Sequence, residues 1–493
     1  MSQQLTDAQR RAAVDRSNRL FIVAGPGAGK TTVAAERFGV ERFRPTGDQR
    51  GVLALSFTRS ATGELRRRIQ RHWGSAALEW PHRVTTIDSL MCEIVQCLLR
   101  RGVLQWPEGH TTLTVLDTWR GQRGCRYLTA NEGYRRVAVL SGTNVASAGR
   151  RVTTGQYGIG KKSDFEAFLA DGICTHDEIR DVMRAGLKND AALAAMDEYM
   201  SRSIRALIVD EIFDANPLDM ALVGRADEAG IPITVIGDPW QALYEFRGAR
   251  PDLVVRLSDD ESFSTHTLTQ SFRYRTDEMS ALATRLRDGK PVALVTATKP
   301  DDADVALAGR WDALWDCSSN VLPMSFGAVG SQTDAALTLV LDSHLRARFG
   351  ERAIYAVEAT HVLRLIEVDL GEIDEALVGV FRLLNGFDPA GALQELRAAV
   401  KELGSRRPPK LQPGAETRAV RRLQLLGDRV SSGASIRGMT VHQAKGQEWP
   451  QVGVVLSDDQ LLRLGAGLEQ GRGGDRMLYV ALTRAQDGTF RLR

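Results

Sequence analysis

Short runs of Val, Ile, Leu and Ala, each closed by a turn-forming or polar residue, recur along the chain at Leu20–Ala24, Val52–Phe57, Ala206–Val209, Ile233–Ile236 and Val452–Leu456. Mainly apolar runs of this length read as strands covered on both faces, since a strand with one wet face alternates instead. Stretches with helical character, such as Thr31–Phe38 and Ala61–Arg71, alternate with them. Strand, helix and strand in succession predict an α/β fold of parallel sheets flanked by helices. Two longer helix-rich segments, from about Cys92 to Ser203 and from about Thr333 to Val430, interrupt the alternation and read as insertions. The expected division is residues 1–90 with 204–260 as a first α/β unit, carrying a helical insertion at 91–203. Residues 261–332 with 433–493 form a second unit, carrying a smaller helical insertion at 333–432. The Pro- and Arg-rich stretch Ser405–Pro413 reads as an exposed connection.

Composition narrows the class. At 493 residues the chain is too long for one core, and units of ~100–150 residues are expected. Hydrophobic residues at 43% and charged residues at 25% are ordinary for globular proteins and argue against long disorder. No apolar run approaches the ~20 residues that cross a bilayer, and the polar N-terminus lacks the apolar stretch of a signal peptide. A cytoplasmic protein with no membrane partner is therefore expected. The five cysteines are odd in number, scattered and without a C-x-x-C pair, which speaks against a disulfide framework or a zinc or iron–sulfur site. Net charge is only +3, from 64 basic and 61 acidic side chains, so binding a polyanion requires locally basic surfaces.

The chemistry begins behind the first apolar run. Gly25–Pro26–Gly27–Ala28–Gly29–Lys30–Thr31 follows Leu20–Ala24 directly and leads into a helix. Glycines let backbone N–H groups turn around a phosphate, and the helix N-terminus adds partial positive charge. Lys30 is then expected on the β- and γ-phosphates of ATP, and the Thr31 hydroxyl on Mg²⁺. The strict pattern has Gly where this chain has Ala24. The run Ala206–Val209 ends in Asp210–Glu211, both at the C-terminal edge where α/β sheets bind ligands. Asp210 is the natural Mg²⁺ partner and Glu211 the natural base for the attacking water.

Further segments carry a family resemblance. Gly237–Asp238–Pro239–Trp240–Gln241 continuing to Tyr244–Glu245–Phe246–Arg247–Gly248–Ala249 resembles the GDxxQxIYxFRGA signature of UvrD/Rep-like superfamily-1 helicases. In family order, Leu5–Gln9 resembles the Q motif, Ser56–Ala61 the TFTNKA segment and Leu268–Arg273 the LxxNYR motif. Met439–Trp449 resembles MTIHxAKGLEF, and Leu478–Ala485 the terminal YVALTRA. The resemblance spans residues 5 to 485 and implies two RecA-like P-loop motor domains. It implies that Gln9 reads the adenine edge, that Phe272 stacks on the base, and that Gly25, Gly27, Ala28, Gly29, Thr32 and Glu448 line the nucleotide. It brings Gln241, Arg273 and Arg484 to the γ-phosphate, the two arginines as fingers from the second motor domain. Phe57, Tyr244 and Phe246 become stacking platforms for single-stranded DNA, and Thr58, Arg59, Arg247 and His442 contacts to its backbone. The implied function is an ATP-dependent DNA helicase or translocase moving 3′ to 5′ on single-stranded or tailed DNA.

Two motifs depart from the family. DExQD has Phe213 where Gln is usual, and TFHS reads Thr86–Ile87–Asp88–Ser89, with Asp in place of His. Only about 160 residues separate Arg273 from Thr440, and eight follow Ala485, so a shortened accessory domain and no C-terminal nuclease are expected. That layout is similar to the helicase subunit of the Gabija anti-phage system. It leaves a second expectation open, a DNA-sensing ATPase of a defence or repair complex that regulates a separate nuclease.

Overall fold

The computed structural model describes residues 5–258, 260–297, 303–405 and 414–492. The chain divides into two compact units, Met1–Arg273 and Tyr274–Arg493.

The first unit is built on the strands β1 (Arg19–Ala24), β2 (Gly51–Ser56) and β3 (Arg83–Thr86). Its insertion contributes β4 (Thr114–Leu116), β5 (Cys125–Leu128), β6 (Tyr134–Ser141), β7 (Asn144–Arg151), β8 (Gln156–Ile159) and β9 (Ile173–Thr175). The sheet then resumes with β10 (Ile204–Val209), β11 (Ile233–Gly237) and β12 (Ser264–Leu268). The main sheet runs β12-β1-β11-β10-β2-β3, and every pairing in it is parallel. The apolar runs fill its middle: every residue of β2 and β11 is buried, as a sheet covered on both faces requires. Because the strands are parallel, β1, β10, β11 and β12 all end at one edge, and the loops that follow them meet there.

Helices begin and end the insertion, notably Ile87–Arg100, His176–Gly186 and Asp190–Ser203. Its middle adds β4–β9 as three two-stranded sheets, which the expected helix-rich insertion did not include. The boundary expected at 260/261 moves to 273/274. The strand β12 pairs with β1, Phe21 lying opposite Thr265, and the segment up to Arg273 stays with the first unit.

The second unit holds β13 (Val305–Ala308), β14 (Val321–Pro323), β15 (Ile436–Thr440), β16 (Trp449–Val455) and β17 (Ala485–Leu492). They form a second parallel sheet in the order β14-β15-β13-β16-β17. Among the described residues, five helices between Gln332 and Ser432 separate β14 from β15. Of the expected connection 405–413, residues 406–413 lie outside the described residues. Among the described residues no helix is long and apolar enough to cross a membrane. All five cysteines are free thiols, and burial raises Cys92 to about 12.

One buried histidine gives the first unit a pH dependence. His82 Nδ1 accepts the Val52 N–H at 3.0 Å. Burial, then the charges of Arg42 and Arg205, lower its pKa to about 4 from the ordinary 6.5. Between those values the unfolded chain binds a proton that the folded one refuses, so stability falls as pH drops through that window, by at most ~1.4 kcal/mol per pH unit. His82→Gln keeps an acceptor and does not titrate. Urea midpoints of the two proteins should converge or cross as pH falls from 6.5 to 4; a constant gap rules this origin out.

Candidate nucleotide and nucleic-acid site

The phosphate loop leaves β1 and enters the helix Lys30–Phe43 through Gly29, which has φ 84° and ψ 30°. Gly27 also lies at positive φ, 71°. A Cβ on Gly27 would come within 2.5 Å of both Arg273 Cβ and Ser271 Oγ, so only glycine admits the closure of the 268–273 segment over the loop. That closure is held by main-chain and hydroxyl bonds. The Phe272 N–H donates to Gly27 O at 2.9 Å, the Ser271 hydroxyl to Pro26 O at 2.8 Å, and the Gly25 N–H to Leu268 O at 3.4 Å. Arg273 therefore stands beside the phosphate loop in the first unit, a correction to its expected place in the second. The ring of Phe272 stays 38% exposed next to the loop, unlike a core aromatic.

Gln9 braces the loop from the other side. Its Nε2 donates to Ala28 O at 3.0 Å, and its Oε1 accepts the Thr6 N–H at 3.0 Å in a capping box. A side chain on Gly29 would meet Gln9 Nε2 at 2.6 Å. Thr32 Oγ1 accepts from Arg68 at 2.7 Å, tying the loop's helix to the helix Arg59–Trp73.

The acids face the lysine. Lys30 is buried at 8% exposure, its Nζ donating to Ala24 O at 3.3 Å and lying 3.9 Å from Glu211 Oε1. Burial, then the neighbouring Glu211 charge, push the Asp210 carboxyl well above the usual range, while Lys30 and a hydrogen bond with Thr31 pull it back. Glu211 has φ 58° and ψ 42°, a left-handed conformation that costs a non-glycine residue roughly 1–2 kcal/mol. That turn lets Glu211 N–H donate to Asp210 Oδ1 at 3.0 Å and puts two adjacent carboxylates on one side of a strand end. The Asp210 carboxyl, the Thr31 hydroxyl beside it and the neighbouring Glu211 carboxylate form the hard, oxygen-rich set that Mg²⁺ takes with phosphate, so the residues fit the implied metal. Gln241 Nε2 donates to the fully buried Asp238 at 2.8 Å, which fixes the amide at the end of β11.

The same unit carries the aromatic signature residues on its surface. Phe246 is 67% exposed, its ring centroid 6.1 Å from that of the half-buried Tyr244. The Arg247 guanidinium lies 5.2 Å from the Tyr244 centroid and 5.4 Å from that of Phe246. Phe57 is only half-buried, its inner side packed on the core. Thr58 caps the helix Arg59–Trp73, accepting the Ala61 N–H at 3.1 Å, and the exposed Arg59 pairs with Asp117 of the insertion.

In the second unit, Arg484 is 1% exposed and its Nε donates to Val480 O at 3.1 Å. Glu448 accepts from Gln486 at 3.1 Å, and His442 lies half-buried in the short helix Val441–Ala444.

Both departures from the family acquire a setting. Phe213 is core, edge-to-face on Phe21 at 6.2 Å, and a Cβ on Gly237 would lie 2.7 Å from its ring. Asp88 accepts from Arg180 Nε at 2.6 Å, and the same arginine reaches the buried Asp219 at 3.0 Å. Nothing in the sequence links Asp88 to Arg180, 92 residues away. Ser271 was also missed, although it stands inside a recognised motif where the family has Asn.

A family model described as an AAA domain matches residues 8–247. The chain is 26% identical to the ATP-dependent DNA helicase UvrD2 of Mycobacterium tuberculosis, over 98% of its own length and 77% of that protein. It is 26% identical to DNA helicase II of Escherichia coli K12 over 59% of this chain and 44% of the other. A solved complex of arterivirus nonstructural protein 10, a helicase, with DNA aligns with 99% of this chain and 62% of that one, at 11% identity and a TM-score of 0.34. The motifs stand in family order, the phosphate loop and its acids meet at one sheet edge, and the mycobacterial relative matches along nearly the whole chain: the chain is similar to the UvrD/Rep-like superfamily-1 DNA helicases.

Proposed function

We propose that this protein hydrolyses ATP, with Mg²⁺, to move 3′ to 5′ along single-stranded DNA and to open tailed duplexes. One observation carries the reading: a single unit holds both the Lys30–Asp210–Glu211 cluster beside a phosphate loop and the Tyr244–Phe246–Arg247 cluster, with Phe246 and Arg247 exposed. Lys30 takes the β- and γ-phosphates, Thr31 and Asp210 would hold the metal, and Glu211 accepts a proton from the attacking water. Mg²⁺ held there would supply positive charge to offset that of the phosphates. Gln241 orients the water, Arg273 and Arg484 offset charge developing on the γ-phosphate, and Phe272 stacks on the base. Bases stack on Phe57, Tyr244 and Phe246 without sequence preference, which suits a motor that must pass every base.

The test is ATP turnover with and without single-stranded DNA, beside unwinding of a 3′-tailed duplex. Stimulation together with unwinding supports the reading; turnover indifferent to DNA sinks it.

A second reading, a DNA-sensing ATPase that regulates a separate nuclease, draws on the Asp88–Arg180–Asp219 network. It engages an acid within the fold where the family motif has a histidine. DNA-stimulated turnover without unwinding favours it.

A further inference from the structure

The charge of this chain is unevenly placed. Between Trp119 and Lys162 stand nine lysines and arginines against one acid, Glu132; the remaining 449 residues carry 55 basic and 60 acidic side chains. The net +3 therefore comes wholly from this stretch, and an Arg-rich composition does not explain it, because elsewhere acids outnumber bases. The stretch folds as the hairpin β6–β7 and the pair β5–β8.

Strand alternation sorts the hairpin's side chains. Arg135 and Arg150, directly opposite one another, reach Asp177 at 3.9 Å and Asp181 at 2.9 Å, so this face is tied to the helix His176–Gly186. Tyr134, Arg136 and Arg151 belong to the other face, Tyr134 opposite Arg151 and Arg136 opposite Gly149. Tyr134 is 57% exposed and lies against Gly149, where an added Cβ would come within 3.4 Å of its ring. Among the described residues, Arg136 and Arg151 make no ion pair. The neighbouring pair continues the pattern. Tyr127, 45% exposed, meets Tyr157 edge-to-face at 5.2 Å, and Arg120 lies 4.3 Å from the Tyr157 centroid.

We infer that this face of the insertion is a second nucleic-acid grip, separate from the Tyr244–Phe246–Arg247 cluster, in which Arg136 and Arg151 take phosphates and Tyr134 takes a base or the end of a duplex. Arginines without acid partners supply the sequence-independent attraction to phosphodiester. Exposed tyrosines between them add stacking that an acidic protein partner would not use. The inference shares with the proposed function only the class of ligand.

Affinity of the full chain for fluorescent single-stranded, blunt and 3′-tailed oligonucleotides, measured by anisotropy across a salt series, tests it. The triple variant Tyr134→Ala, Arg136→Gln, Arg151→Gln should bind at least one form about tenfold more weakly. Its log-affinity against log-salt slope should be shallower by about two, with DNA-independent ATP turnover unchanged. The single variant Arg151→Gln, at an exposed position, should lose about one unit of slope with its thermal midpoint intact. Loss on single strands alone identifies a strand grip, and loss on duplex a duplex grip. Wild-type affinity and slope in both variants, for all three oligonucleotides, overturn the inference and leave the motor reading standing. A wild-type chain that binds none of them sinks both, whereas binding without ATP turnover sinks the motor alone.

Discussion

Replacing Lys30 by Ala should lower ATP turnover about 10³-fold and abolish unwinding, while single-strand affinity changes by less than about twofold. The reason lies in the acids as much as in the phosphates. Lys30 is a buried cation 3.9 Å from Glu211, and its charge is the largest of the influences that draw the Asp210 carboxyl back toward ionisation against burial and the Glu211 charge. Without it both the proposed phosphate contact and the ionisation of the proposed metal ligand weaken together. The loss should therefore exceed that of a single hydrogen bond. Lys30→Arg should fare little better, because a planar fork does not fit where one ammonium sits against Ala24 O and Glu211. The Tyr244–Phe246–Arg247 cluster contains neither group, which is why binding survives. Turnover by Lys30→Ala within tenfold of wild type would contradict the assignment.

The proposed nucleotide site could be read from the sequence because its chemistry is local. A phosphate loop needs glycines at fixed spacing behind an apolar run, and β1 and β10 carry such runs, mostly buried. The boundary at Arg273 was not legible. The strand β12, Ser-Thr-His-Thr-Leu, lies at the sheet edge and is mostly polar, with only Leu268 buried. It offers neither an apolar run nor a clean alternation. The insertion's strands were hidden for a related reason: β6 and β7 spend much of their length on arginines and half-buried small residues, so period two is blurred. Phe213 and Asp88 stood out only as departures. That one packs on Phe21 and the other on Arg180 is a property of chain crossings, and no local pattern encodes it.

Phe246→Ala should weaken single-stranded DNA binding about 10- to 100-fold and remove most DNA stimulation of ATP turnover, while basal turnover and the unfolding midpoint stay near wild type. Three observations combine here. An aromatic ring at 67% exposure contributes little burial, so its loss creates no cavity and costs little stability. Tyr244 and Arg247 hold one another and the ring within about 6 Å, giving a base an apolar face with a cation beside it. The cluster also follows Asp238–Gln241 directly in the chain, and Gln241 is clamped to Asp238. A base seated on Phe246 therefore bears on a short segment whose other end carries a residue assigned to the γ-phosphate, a direct route from DNA occupancy to hydrolysis. Phe246→Trp, which keeps a stacking face, should retain binding and stimulation. The pairing of variants separates stacking from fold: equal losses in Phe246→Ala and Phe246→Trp would mean that the ring shapes the loop, and unchanged DNA stimulation in Phe246→Ala would remove it from the DNA path.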